Sequence, residues 1–374
     1  MFHRPLRDRP RADRFFLLYL AILLVVGLAV LVSASAPVGY NKFGDTYYFV
    51  KRQILYGLLP GLAVFLILAR LNYRRAEKLA WPFYVFSLLL LAAVFIPELS
   101  ASYGKNVRSW LSLGPFNFQP AELAKLGLII VLAKFFSNPR RDPTDWRQGV
   151  VPALAVAAPA MLLVLLQPDI GTLAIIAGLV FGLLYLAGTP KIHLLIVGAL
   201  GVAAFAVLVL VAPYRLERLT IFMHPELDPQ GVGYHVNQAF LAVGSGGWWG
   251  MGYGHSRQKY LYLPEVHADS IFAVFAEEMG FVFSTALIIL ILLLAWRGLK
   301  IAKAAPDRFG GLLAGGVMIW FFWQSLVNIG AMVGLLPVTG VPLPLVSHGG
   351  SSMLMMLAGL GLVAGISCSQ KRRE

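Results

Sequence analysis

Acidic residues are scarce, 18 against 31 lysines and arginines, and charged residues of both signs make up only 13% of the 374 residues. With 58% hydrophobic residues, the chain lies outside the composition of soluble globular domains. Cysteine is nearly absent. The single Cys368 excludes an internal disulfide and a cysteine-based metal centre. Three catalytic signatures are also missing: there is no GxxxxGK[ST], no GxSxG and no HExxH. Nucleotide hydrolysis, the hydrolase nucleophile elbow and zincin chemistry therefore lack their usual residues. Internal repeats and low-complexity tracts are absent too, so residues 1–374 read as a single polytopic membrane domain.

Long apolar runs dominate what is present. A bilayer core requires about 20 mostly apolar residues per helix. Such stretches recur at 15–32, 53–69, 79–97, 120–136, 150–167, 172–188, 194–212, 271–296, 311–336 and 353–368. The expected fold is an all-α integral membrane protein of about ten transmembrane helices, with a large extracytoplasmic loop, about 213–270, between the seventh and eighth. The first run follows five arginines and ends near Ser33-Ala34-Ser35-Ala36, which resembles a signal cleavage site. Its apolar stretch exceeds a signal h-region of about 7 to 15 residues, so a retained first helix is expected.

The net charge of +13 suggests nucleic acid until the charges are placed along the chain. With the N-terminus inside, the inner segments hold 21 Lys and Arg, the outer segments hold 9, and Lys125 falls within a helix. This asymmetry puts both termini in the cytoplasm, and anionic inner-leaflet lipid accounts for the basic excess without nucleic acid. The outer connections at 33–52, 98–119, 213–270 and 337–352 are the places to look for chemistry. The longest of them reads as a structureless loop, and such loops are usually functional.

Ionisable residues at membrane depth are costly, and each one raises a functional hypothesis. Glu122 and Lys125 are spaced i, i+3 on one helix face and form either a structural pair or part of a site. Arg108 and Trp110 precede them at the outer interface. Asp169, in Gln167-Pro168-Asp169-Ile170-Gly171, sits where it would cap the next helix. In Pro264-Glu265-Val266-His267-Ala268-Asp269, the last residue is a helix cap or a site. Were that segment extended, Glu265, His267 and Asp269 would share a face and could bind a divalent cation. The segment from Pro337-Val338-Thr339-Gly340 to Ser347-His348-Gly349-Gly350-Ser351-Ser352 reads as a tight re-entrant turn, which must be buried in protein or line a cavity. A substrate carrying its own leaving group would suit an outer compartment without ATP, and a lipid-linked diphosphate sugar fits. Arg108, Lys125, Arg215 and Lys259 could offset its charge.

Taken together these motifs resemble the SEDS proteins (shape, elongation, division and sporulation), the bacterial peptidoglycan glycosyltransferases. The resemblance spans nearly the whole chain. It rests on Arg108-Ser109-Trp110, on Phe118-Gln119-Pro120-Ala121-Glu122-Leu123-Ala124-Lys125, and on Gln167-Pro168-Asp169-Ile170-Gly171-Thr172. It continues through Gly254-His255-Ser256-Arg257-Gln258-Lys259, Leu263-Pro264-Glu265-Val266-His267-Ala268-Asp269, Ala276-Glu277-Glu278 and the 336–352 segment. The Gly-His-Ser-Arg-Gln-Lys segment and Tyr48-Phe49-Val50-Lys51-Arg52-Gln53 look like the division branch, FtsW, with the elongation branch, RodA, second. The chain departs from the family pattern at Ser109, Ala121, Ser270 and His348, where Arg, Ser, Phe and Tyr are common. None of these is the acidic position.

The resemblance implies polymerisation of lipid II into glycan strands at the outer face of the bacterial cytoplasmic membrane during division. The donor would be a glycan on undecaprenyl diphosphate. Asp269 would be the catalytic residue, and Arg108, Glu122 and Lys125 would matter for activity. Trp110, Asp169, Arg215, Lys259, Glu265 and Ser347 complete the candidate substrate contacts. A class B penicillin-binding protein transpeptidase and other division proteins are the implied partners. No cofactor is required, although a divalent cation, magnesium or manganese, would help stabilise the leaving diphosphate. A lipid II flippase and a non-catalytic scaffold are the rivals. A flippase needs polar residues along a path to the inner face, whereas here they cluster outside.

Overall fold

Asp13 begins the first helix by accepting the Phe16 N–H at 2.9 Å, satisfying one of the donors that a helix start leaves open. The helix, α1, runs over Arg14–Phe43 and ends at Gly44, whose left-handed backbone (φ 68°) returns its N–H to the Tyr40 carbonyl. The computed structural model describes residues 12–101, 109–114, 116–211, 213–228 and 231–369. After α1 come α2 (Tyr48–Gln53) and α3 (Leu59–Arg70), joined through a π-turn into one span, then α4 (Arg74–Ala93) and α5 (Pro120–Ser137). Next are α6 (Val151–Leu166, led by a π-turn), α7 (Ile170–Ala187) and α8 (Lys191–Val211). Two shorter helices, α9 (Pro213–Met223) and α10 (Val232–Ser245), precede α11 (Ile271–Lys303), α12 (Arg308–Met332) and α13 (Gly350–Cys368).

Among the described residues nine helices are long and apolar enough to cross a membrane, so the chain is a multi-pass membrane protein. The tenth expected stretch is α5. It differs because it carries Glu122, Lys125 and Lys134 and is buried on every side from Pro120 to Ala133. At the other extreme, α8 buries only Leu194 and Val209. A helix apolar all round yet unburied is solvated by lipid.

Lipid provides no hydrophobic drive for helices to associate, so close approach through small residues does that work. On α3 and its π-turn, Gly57 and Gly61 lie four residues apart against α13; on α13, Gly361 and Gly365 do the same against α3. A Cβ at Gly361 would meet the Phe65 Cα at 2.8 Å, so backbone touches backbone there.

Two outer connections differ from the sequence expectation. The 213–270 segment is not structureless: it holds α9, a 3₁₀ turn at Pro225–Leu227 and α10, and only its last part, from 246, is built of turns. The 98–119 connection contains a three-stranded antiparallel sheet, β1 (Ser100–Ala101), β2 (Trp110–Leu113) and β3 (Phe116–Phe118), in the order β1-β2-β3. The fold is therefore not strictly all-α. Both segments are amphipathic and short, and hydropathy alone does not register such elements.

Candidate active site

The N-terminal part of α11 is broken at Gly280, whose φ of 73° and ψ of −175° belong to a region that side-chain-bearing residues essentially never occupy. The chain leaving α10 fills the break. Phe281 N–H donates to Gly247 O at 2.8 Å and Val282 N–H to Trp248 O at 3.2 Å, while Met251 and Gly252 donate to the Glu277 and Glu278 carbonyls. This requires glycine on both sides: a Cβ at Gly250 would lie 2.2 Å from Glu278 O, and one at Gly280 would lie 2.3 Å from Gly250 N. The glycine series of the long loop is thus a backbone graft that locks α10 to α11.

The same graft sets the two acids of Ala276-Glu277-Glu278. Glu277 accepts the Arg257 and Gln258 N–H groups at 3.1 and 3.2 Å, together with the Ser256 hydroxyl. Glu278 accepts the Ser33 hydroxyl from α1 and pairs with Lys259 at 2.7 Å. The Lys259 ammonium also donates to Gly254 O at 2.7 Å and to Ser33 Oγ at 3.0 Å, so all three of its hydrogens are used. At 3% exposure it holds the turn against α1 and offers no charge to a diphosphate. This corrects the substrate-binding expectation for Lys259.

Eight residues before Glu277 lies an acid of a different kind. Asp269 is 7% exposed, and no ion pair to it is found among the described residues. Burial, reinforced by the Glu265 charge, pushes its carboxyl up to about 7. It does not cap α11. The cap position is Ser270, and neither side chain accepts an N–H there. Ser270 Oγ lies 3.4 Å from Asp269 Oδ1 and 2.7 Å from His235 Nε2, which comes from the first turn of α10.

The 264–270 segment is a turn, not a strand. Glu265 adopts φ 49°, and its carbonyl accepts the Ala268 and Ser270 N–H groups at 2.9 and 3.3 Å. Glu265, His267 and Asp269 consequently share no face. Glu265 is exposed, with its carboxylate 3.7 Å from His267 Nε2. Among the described residues no three His, Cys, Asp or Glu side chains gather to hold a metal. The described residues therefore offer no protein-held site for a divalent cation.

The expected re-entrant segment is non-helical backbone, half-buried to exposed over 337–340 and largely buried over 341–347, and side-chain amides satisfy carbonyls within it. Asn328 of α12 donates to Val341 O and to Asp269 O, both at 2.8 Å, which ties this segment to the acidic turn. Gln324 Nε2 donates to Pro342 O at 3.0 Å. Gln53 donates to Ser347 O at 3.1 Å and accepts the Gly349 N–H at 2.9 Å. Ser347 itself, 4% exposed, accepts the Leu343 N–H at 2.9 Å. It shapes the turn, which corrects its expected role as a substrate contact.

Glu122 and Lys125 form the pair that the i, i+3 spacing predicts, at 2.8 Å, with both side chains at most 2% exposed. Lys125 also donates to Gln324 Oε1 at 2.8 Å, and Trp320 donates to the same oxygen. Through Gln324 the pair braces Pro342. Glu122 Oε2 is buried without a hydrogen-bond partner among the described residues.

A cavity of about 340 Å³ lies where these elements converge. Its walls include Trp110 of β2, Asp169, Ala268, Thr339, Pro342 and His348, with Phe205, Val209 and Leu219 forming an apolar side from α8 and α9. Ser109 also lines it, with a buried hydroxyl that has no hydrogen-bond partner among the described residues. Asp169 is the cap that the sequence suggests: it accepts the Thr172 N–H at 2.9 Å and the Thr172 hydroxyl at 2.8 Å. It is nevertheless part of the wall. Arg108 lies outside the described residues, and Arg215 sits on α9 with its side chain outside them. Sequence reasoning did not assign Gln53, Gln324, Asn328, His235 or Ser270 to the site. Gln324 and Asn328, one turn apart in an apolar helix, carried a usable signal, since amides in a membrane span need partners.

Comparison with known proteins identifies the family. The profile of the family described as "Cell cycle protein", covering FtsW, RodA and SpoVE, matches residues 13–372. Stage V sporulation protein E of Bacillus subtilis is 39% identical over 95% of this chain and 96% of its own. A probable peptidoglycan glycosyltransferase FtsW of Aliivibrio salmonicida is 38% identical over 93% of this chain and 87% of its own. Among solved structures, a chain from a study of polymerization and crosslinking by a peptidoglycan synthase complex superposes with a TM-score of 0.78 at 33% identity, over 96% of this chain and 99% of that one. The rod shape determining protein RodA of Thermus thermophilus gives 0.71 at 33% identity, over 96% and 98%. The chain belongs to the FtsW/RodA/SpoVE family, the SEDS proteins, and is FtsW-like within it.

Proposed function

We propose that this protein is a peptidoglycan glycosyltransferase that polymerises lipid II at the outer face of the cytoplasmic membrane, with Asp269 as general base. The observation that carries the reading is Asp269 itself, a buried carboxylate without an ion pair among the described residues, next in the chain to a residue of the cavity wall. A base poised near 7 is matched to working pH, where proton acceptance is most effective. The 4-hydroxyl of the acceptor N-acetylglucosamine is a poor nucleophile. Asp269 takes its proton as the oxygen attacks the anomeric carbon of the polyprenyl-diphosphate-linked donor. The C–O bond to the diphosphate breaks on the opposite face, turning an α-linked donor into a β-1,4 product in one displacement. A single carboxylate suffices. No step is routed through a metal ion. The apolar side of the cavity on α8 and α9 suits a polyprenyl tail, since α8 is otherwise solvated by lipid.

Both termini would lie in the cytoplasm, as the excess of basic residues on that side supports. Crosslinking would fall to a class B penicillin-binding protein. The likeness to a chain from a peptidoglycan synthase complex supports such a partner. The deciding experiment incubates the purified protein, alone and with its cognate penicillin-binding protein carrying an inactivated transpeptidase, with lipid II and resolves the products by size. Glycan polymer is expected. Lipid II left intact in both arms, with the complex demonstrably assembled, would overturn the reading.

A further inference from the structure

The general base is not alone in its pocket. Asp269 Oδ1 faces Ser270 Oγ at 3.4 Å, and Ser270 Oγ faces His235 Nε2 at 2.7 Å. The first distance is long for an O–H···O bond and the second is short, so in this state the hydroxyl is engaged chiefly with the imidazole. Catalytic hydrogen bonds are often loose before substrate binds. His235 lies in the first turn of α10, Asp269 and Ser270 close the turn that leads into α11, and the backbone graft at Gly280 joins those two helices.

Resting on the assignment of Asp269 as base, we propose that Ser270 and His235 are positioning residues that form a chain from the carboxylate to the imidazole. Before reaction His235 Nε2–H donates to Ser270 Oγ, and Ser270 O–H donates to Asp269 Oδ1, aiming the other carboxylate oxygen at the acceptor hydroxyl. After Asp269 has taken the substrate proton, the chain reverses. Water first exchanges the imidazole tautomer, removing the Nε2 proton and placing one on Nδ1; Asp269 O–H then donates to Ser270 Oγ while the serine proton passes to the vacant Nε2. Carboxylate, hydroxyl and imidazole exchange one proton each along two bonds, and the net result is an ionised Asp269 and a protonated His235. His235 is only partly buried, so it can hand that proton on. Burial lowers the affinity of the His235 imidazole for that proton and the Glu265 charge opposes this only in part, so His235 passes the proton on and does not store it; at Asp269 burial and Glu265 both favour the protonated form.

The test measures polymerisation of lipid II against pH for wild type, Ser270→Ala, His235→Gln and the double variant, with Asp269→Asn alongside. Ser270→Ala should lower turnover about tenfold with little change in KM, the size expected for one hydrogen bond to a charged group. It should also move the acid limb of the profile to higher pH, because the hydroxyl helps to keep Asp269 ionised. His235→Gln can still donate to Ser270 but cannot titrate, so it should lower turnover without reproducing that shift. The double variant should be no slower than Ser270→Ala. Unshifted profiles with additive losses, or wild-type turnover in both single variants while Asp269→Asn is inactive, would overturn the chain and leave the base intact. An active Asp269→Asn would overturn the base assignment and the chain with it. Should Ser270→Ala fail to fold, His235→Gln decides, with wild-type turnover as the overturning result.

Discussion

The N-terminal part of α11 and the turn before it hold two sets of buried carboxylates with opposite environments. Glu277 and Glu278 are saturated by backbone N–H groups, serine hydroxyls and the Lys259 ammonium. Asp269, eight residues before Glu277, receives only a distant hydroxyl and weak backbone N–H contacts from Asp269 and Ser270 themselves, and burial and Glu265 outweigh these and push it toward neutrality. An acid whose charge is fully compensated is a strut, because removing either partner leaves a bare charge in a low-dielectric site. An acid left uncompensated has a proton affinity matched to chemistry at neutral pH. The motif residues that look alike in sequence thus divide between holding the site and running it.

The largest expected contrast is between changes made to the two sets. Asp269→Asn retains the shape and removes the proton acceptor. Polymerisation should fall by at least about two orders of magnitude while thermal unfolding stays at or above wild type. Lys259→Met should do the reverse, stripping Glu278 of its counter-charge and destabilising the fold by about 3 to 5 kcal/mol. That loss is read by thermal unfolding in detergent, and adding Glu278→Gln should recover much of it. A Lys259→Met protein that unfolds like wild type would break the distinction between strut and base.

A further effect lies in the pH dependence of stability. The folded Asp269 carboxyl titrates near 7 against 3.8 unfolded, so its neutral form is favoured by folding. That contribution is fully present below about 3.8 and is lost as pH rises through about 7. Asp269→Asn removes it. The unfolding temperature of wild type relative to the variant should therefore decline between pH 4 and 8, and parallel curves would count against the raised pKa. The smallest effect is expected at Asp169. Asn caps a helix about as well as Asp, so Asp169→Asn should cost no more than about 1 kcal/mol, chiefly from the Thr172 hydroxyl contact. A collapse of polymerisation with stability intact would move Asp169 from the wall of the cavity into its chemistry.

How much of this was legible beforehand depended on the range over which each residue acts. The Asp169 cap and the Glu122–Lys125 pair span three residues and were readable from spacing. The Lys259–Glu278 pair closes over 19 residues and enlists Ser33 from 226 residues away, so Lys259 looked like a free cation waiting for a diphosphate. Ser347 looked like a substrate contact because its motif was recognisable, but its hydroxyl folds back onto Leu343. The expectation that Glu265, His267 and Asp269 share a face assumed an extended strand. The positive φ of Glu265 turns that segment instead.

The apolar runs, the basic bias of alternate connections and the ordered motifs were enough to establish a multi-pass membrane protein of this family. Bilayer thickness and leaflet charge act on each segment separately, so their demands are written locally. What the tertiary structure alone decided was which buried acid keeps its charge and which does not. That depends on donors brought in from α1, from the turn before α11 and from α10, and on the Gly280 break that lets them approach. Proton affinity is set by everything within a few ångströms, and in a helical bundle most of those neighbours are remote in sequence.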